Sequence, residues 1–76
     1  MGGAMKAKPE LHDVIELREP RGGQSAGAVG AVVELFRTGA LVEFTDEHGR
    51  TVELLDVPYE DLIVRPPEPA ERRAAG

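Results

Sequence analysis

The sequence predicts an all-β domain, and three observations carry that expectation. Apolar residues between Asp13 and Arg65 recur with a period of two and not 3.6, the alternation falls into five short runs, and turn-forming residues separate the runs. With 76 residues and no cysteine, the chain makes one domain near the lower size at which folding succeeds without disulfides or a metal. The hydrophobic share of 41% is enough for a compact core, but Phe36, Phe44 and Tyr59 are the only aromatics, so valine and leucine supply most of the buried volume.

Taken in order, Asp13–Leu17 reads as the first strand, and residues 19–27, with one proline and three glycines, as a long loop. The apolar, β-branched run 28–36 is the expected central strand, within which Gly30 allows close backbone approach or a bulge. Arg37-Thr38-Gly39 is a tight turn into a third strand over 40–45, where Val42 and Phe44 share one face and Leu41, Glu43 and Thr45 the other. Asp46-Glu47-His48-Gly49 makes a second hairpin turn, with Gly49 suited to positive φ. Residues 50–57 form a fourth strand, in which the Leu54-Leu55 pair interrupts the alternation. Together with Leu41 and Val32, that pair points to apolar residues on the outer face, either as a small second core under the long loop or as a contact patch. Pro58-Tyr59-Glu60-Asp61 is too short for an α-helix and suits one 3₁₀ turn, after which 62–65 closes as a fifth strand.

Five short strands, a long first loop, two tight hairpins and a 3₁₀ turn before the last strand is the layout of a small SH3-like barrel spanning residues 11–65. Closure is also how a small all-β chain avoids exposed edges; the alternative is an open five-stranded sheet that dimerises through an edge. Residues 1–10 read as a flexible N-terminal segment, and 66–76, with three prolines in four positions, as a disordered Pro-rich tail. Met1–Lys8 contains no apolar leader core and no run reaches membrane-spanning length, so a cytoplasmic protein without membrane partners is expected.

Charge narrows the partner class. The formal net charge is −5, and between Asp13 and Arg65 eleven acidic residues face five arginines and no lysine, which gives the expected folded body about −6. An acidic body is poorly suited to phosphate backbones and better suited to docking a basic protein. Catalytic residues are scarce: Ser25 is the only serine, in the Gly-rich loop, and its spacing from Asp46 and His48 does not support a triad. A chain of this size also leaves little interior for a substrate pocket, so no enzymatic activity is expected. Neither cofactor nor metal is expected. His12 and Asp13 are neighbours on a predicted strand and point to opposite faces, and Asp46-Glu47-His48 reads as a solubilising acidic turn. Gly27-x-x-Gly30 superficially resembles a phosphate cradle, but a strand follows it where a dinucleotide fingerprint needs a helix. Its Gly-x-Val-Val pattern also echoes RNA-binding barrels, which require basic loops. Here Arg18, Arg21 and Arg37 are set against Asp46, Glu47, Asp56, Glu60 and Asp61. Three aromatics are too few for a proline-binding groove.

The segments Asp13–Leu17, Gly27–Glu34, Val42–Thr51 (which includes Asp46-Glu47-His48-Gly49), Val57-Pro58 and Asp61-Leu62 resemble a bacterial domain-of-unknown-function family of this size. Its pattern runs D-V-V-x-L, G-x-x-G-T-V-V-E, V-E-F-x-D-x-x-G and L-P-x-x-x-L. Ala28 stands where an acidic residue is common, and Ala40-Leu41 where a Tyr-containing pair is common. The resemblance implies an SH3-like fold, an accessory role beside other small proteins, antitoxin-like in some members, and no catalytic residues. The resulting expectation is a non-enzymatic protein-interaction module for a basic partner, with Tyr59, Phe36 and Leu41 as anchors and Glu43, Asp46, Glu47, Glu60 and Asp61 as acidic contacts. An RNA- or DNA-associated barrel and a structural homo-oligomer are the alternatives.

Overall fold

The computed structural model describes residues 8–66; the expectations for residues 1–7 and 67–76 fall outside them. The described chain is all-β: β1 (Val14–Leu17), β2 (Val29–Leu35), β3 (Gly39–Thr45), β4 (Thr51–Pro58), a 3₁₀ turn (Tyr59–Asp61) and β5 (Leu62–Val64). All neighbouring strands are antiparallel, in the order β4-β3-β2-β1-β5. The expected five strands and the 3₁₀ turn before the last one are therefore present. The hydrogen-bonded ring is not closed, because β4 and β5 are the two edges of the sheet.

Ile15 and Leu17 of β1, Val32 of β2, Ala40, Val42 and Phe44 of β3, Val57 of β4 and Leu62 of β5 form one buried cluster. In a flat sheet with strands about 4.8 Å apart, β4 and β5 would lie about 19 Å from one another. Contribution of both edges to a single cluster means that the sheet curls around its core. The 3₁₀ turn, following directly on β4 and leading into β5, carries the chain across that gap. Gly30 makes the curl sterically possible. A Cβ there would lie 2.6 Å from Val42 Cγ1, 2.9 Å from the Glu43 carbonyl oxygen and 3.0 Å from Phe44 Cδ2.

Val32 departs from expectation. The sequence expectation places it on the outer face, yet it is fully buried. A register shift between Val32 and Glu34 inserts one residue into β2, so side chains before and after it fall on different phases of the alternation. Val33 is the displaced residue and is exposed. The Leu54-Leu55 pair, by contrast, alternates normally. Leu54 is exposed on the outer face, and Leu55 packs against the core beneath Gly22 of the long loop.

Within the segment expected to be flexible, Pro9 is buried and the Lys8 ammonium lies 5.6 Å from the centre of the Tyr59 ring. Glu10 to Asp13 forms a turn in which the Asp13 carboxylate accepts the Glu10 N–H at 2.8 Å and His12 adopts φ 71°. No described helix is long and apolar enough to cross a membrane.

Candidate functional site

The eight residues expected to bind a partner do not form one surface. Asp46 and Glu47 lie at the β3–β4 turn, while Phe36, Tyr59, Glu60 and Asp61 lie at the other end of β3. The seven residues of β3 separate the groups by about 20 Å. Leu41 and Glu43 occupy the strand between them and are half-buried.

At the β3–β4 turn Asp46 and Glu43 are committed locally, whereas Glu47 is not. Asp46 Oδ1 accepts the N–H groups of His48 at 2.8 Å and Arg50 at 3.0 Å. The Asp46 backbone closes the same turn, donating to Arg50 O at 2.9 Å and accepting from Gly49 N–H at 3.0 Å. Asp46 is thus a turn residue in the sense that Asx side chains replace missing backbone partners. Glu43 accepts the Thr51 hydroxyl. Glu47 is exposed, with a carboxylate oxygen 3.7 Å from His48 Nε2. Ser25 makes no side-chain hydrogen bond to His48 or Asp46, and no three described His, Asp or Glu side chains cluster in a way that could hold a metal ion.

The opposite end is assembled from distant parts of the chain. The Tyr59 hydroxyl donates to the Phe36 carbonyl, and the Tyr59 N–H donates to Thr38 O at 3.2 Å, so the 3₁₀ turn braces the β2–β3 turn from outside. Asp61 accepts the Arg21 guanidinium at 2.9 Å. Arg18 donates through Nε to Glu60 O at 3.0 Å and through its backbone N–H to Asp61 O at 2.8 Å. These contacts hold the long first loop against the 3₁₀ turn. Tyr59 and Asp61 are consequently bracing residues, and Tyr59 is a half-buried strut whose polar tip is spent on a backbone carbonyl.

Between the first loop, the β2–β3 turn and the 3₁₀ turn lies an open groove of about 520 Å³, lined among others by Arg21, Phe36, Thr38, Asp56, Pro58 and Glu60. Phe36 is 44% exposed there. Asp56 and Glu60 are exposed, and among the described residues neither has a cation within 4 Å. An exposed aromatic ring beside two unpaired carboxylates can receive a side chain that is apolar along its stem and basic at its tip. Asp56, in the middle of β4, was not among the expected contacts. It enters the groove because the β3–β4 register sets it opposite Leu41, one position from the buried Val57.

Glu53 was also missed. Its carboxylate accepts the Gln24 side-chain amide at 2.8 Å and the Gly23 N–H at 3.1 and 3.2 Å, and these bonds, the Gln24 one first, hold it below the usual carboxylate range against a smaller opposing effect of desolvation. A sequence signal existed. Glu53 is in phase with Leu55 and Val57, the inward-facing set of β4, and a carboxylate in that phase requires donors.

No curated protein and no solved structure matches the chain. Residues 11–64, which span all five strands, match the model of a family described as a domain of unknown function (DUF4926). The chain belongs to this family.

Proposed function

We propose that this chain is a non-enzymatic protein-interaction module that takes a basic, partly apolar segment of another protein into the groove formed by the first loop, the β2–β3 turn and the 3₁₀ turn. The observation that carries the proposal is the exposed Phe36 ring beside Asp56 and Glu60, in a body with more than twice as many acidic as basic residues. Desolvated aromatic anchors contribute disproportionately to protein–protein affinity, and unpaired carboxylates around them favour cationic partners by steering and by complementarity. Of the eight expected contacts, Phe36 and Glu60 line the groove; Tyr59 and Asp61 do not line it but brace Phe36 and Arg21, which do, and Leu41, Glu43, Asp46 and Glu47 stand outside it. An accessory or antitoxin-like regulator of a neighbouring gene product is the concrete form of this role, and it rests on the family resemblance alone.

The test is a comparison of tagged wild-type protein with Phe36→Ser/Glu60→Lys in capture from the source cell. A stoichiometric basic protein retained by the wild type and lost from the double variant is the expected result. Because both side chains are exposed, the substitutions leave stability within about 0.5 kcal/mol. Equal capture by both proteins, or capture of none, defeats the proposal. Retention of RNA or DNA in low-salt filter binding would instead support the nucleic-acid alternative.

A further inference from the structure

The β4 strand is an eight-residue edge with an open hydrogen-bonding side. In an antiparallel ladder the residues of one strand turn their backbone groups alternately toward and away from the partner. Tyr59 N–H donates to Thr38 O, which puts the 38/59 pair in the bonded phase and, by the β3–β4 register, Ala40/Val57, Val42/Leu55 and Phe44/Glu53 with it. The N–H and C=O groups of Leu54 and Asp56 therefore point away from β3. No described loop or turn donates to or accepts from them. Pro58 falls in the same outward phase, where its missing N–H costs nothing. The first loop does not cover this edge, because Gly22 and Gly23 meet the inward-facing side chains of Leu55 and Glu53.

We infer that the open edge of β4 accepts an extended segment of a partner protein as a sixth strand, and that this segment carries a basic and an apolar residue two positions apart. The inference rests on the interaction role proposed above and names the form of the partner. Its register follows from the exposed face. An added residue opposite Leu54 meets an exposed apolar side chain, and one opposite Asp56 meets a carboxylate without a described cation within 4 Å. Directly opposed pairs of these kinds stabilise a sheet. In the favoured antiparallel direction the segment reads basic-x-apolar from its N-terminus. The groove begins where this edge ends, since Asp56 and Pro58 belong to both. A second copy of the chain is the poorer occupant. It would bring a body of like sign against Asp56, and inward or edge charges of this kind are how sheets resist self-pairing.

The test is amide hydrogen exchange by NMR on the full chain, with a synthetic decapeptide containing Lys-Thr-Val as probe and its Glu-Thr-Val counterpart as control. In the free protein the Leu54 and Asp56 amides exchange quickly, while those of Leu55 and Val57 are already protected. With the basic peptide at about ten times its dissociation constant, Leu54 and Asp56 slow by about tenfold, because exchange then proceeds only from the unbound fraction, about one part in eleven. The acidic control leaves them unchanged. Asp56→Lys reverses the preference between the two peptides. Leu54→Pro, which removes an outward N–H together with the apolar side chain at that register position, abolishes the protection of Asp56, and retained protection at Leu55 and Val57 verifies that the variant is folded. If the basic peptide perturbs Phe36 and Glu60 but leaves the Leu54 and Asp56 amides unprotected, the edge inference falls and the groove proposal stands. If it perturbs neither region, the edge inference falls and capture of the cellular partner decides the groove proposal separately. Protection of Leu54 and Asp56 that rises with protein concentration alone overturns the inference in favour of a second copy.

Discussion

The β2–β3 and β3–β4 turns are similar in sequence, each a short polar stretch ending in glycine, but they are held by different means. The β3–β4 turn is self-contained. Asp46 satisfies the amides of His48 and Arg50, and Gly49 supplies φ 82° with open space where a Cβ would stand. The β2–β3 turn has one bond of its own, Phe36 N–H to Gly39 O, and is braced in addition from elsewhere, by Tyr59, whose hydroxyl reaches the Phe36 carbonyl 23 positions away. Gly39 has no unusual φ, but a Cβ there would collide with the Val57 carbonyl oxygen and lie 3.0 Å from its carbon and 3.1 Å from Pro58 Cα. Gly49 is required by conformation and Gly39 by proximity. The turn that closes on itself leaves its carboxylate spent, whereas the turn braced from outside leaves Phe36 exposed beside a groove.

The sharpest way to break this comparison is to place a methyl group at each glycine. Gly39→Ala meets backbone that cannot rotate away, and it costs about 3 kcal/mol or more as an overpacking substitution. Gly49→Ala costs only the left-handed backbone penalty of about 1 kcal/mol. Urea unfolding measures both, and equal losses would show that the two glycines serve the same purpose. For a domain of this length, with about 4–11 kcal/mol in total, the Gly39 variant is the one at risk of unfolding.

The two braces give a smaller contrast. Asp46→Ala removes a charged acceptor from two amides and costs about 1–2 kcal/mol. Tyr59→Phe removes one neutral hydrogen bond and costs about 1 kcal/mol. Their locations separate them more clearly than their sizes do. Asp46→Ala speeds amide exchange at His48 and Arg50 and leaves the β2–β3 turn alone, while Tyr59→Phe loosens the Phe36 amide, which donates to Gly39 O at 2.8 Å. Loosening at both turns in either variant would show that β3 transmits the change from end to end.

What could be read from the sequence follows the same division. Period-two alternation placed all five strands within one or two residues, and Asp-Glu-His-Gly announced a local turn whose partners are its own neighbours. The position of Val32 was not readable, because a bulge inside a Val-Val pair leaves the composition of the strand unchanged while reversing which side chain points inward. Tyr59 was expected as an exposed anchor, and only the fold brings its hydroxyl to Phe36 and makes it a brace. The groove was harder still. Arg21, Phe36, Asp56 and Glu60 come from the first loop, the end of β2, the middle of β4 and the 3₁₀ turn, and no local pattern brings them together. Net charge gave the sign of the expected partner but not the position of the free carboxylates, since Asp46 and Asp61 look no different in sequence from Asp56 and Glu60.

The first loop extends the contrast, because it too is held from a distance, and by a titratable group. Glu53 on β4 accepts the Gln24 amide and the Gly23 N–H, and these bonds hold its carboxyl below the ordinary range. In acid the unfolded chain therefore binds a proton at this residue before the folded chain does. The stabilisation from this contact is complete above the ordinary carboxylate pKa of about 4.3 and is lost as pH falls through the lower folded value. Glu53→Gln has no such group to titrate. Between about pH 5 and pH 3, the wild type should lose more stability than the variant, and the Gly23 amide should lose protection in the wild type over the same interval. Parallel stability profiles would mean that the loop is held by the Arg21–Asp61 and Arg18–Glu60 contacts alone. Arg21 lines the groove from this loop, so the same titration has a consequence at the binding site. Acid that releases Gly23 from Glu53 loosens the loop that brings Arg21 to the groove, while the Tyr59 hydroxyl still braces the β2–β3 turn that carries Phe36.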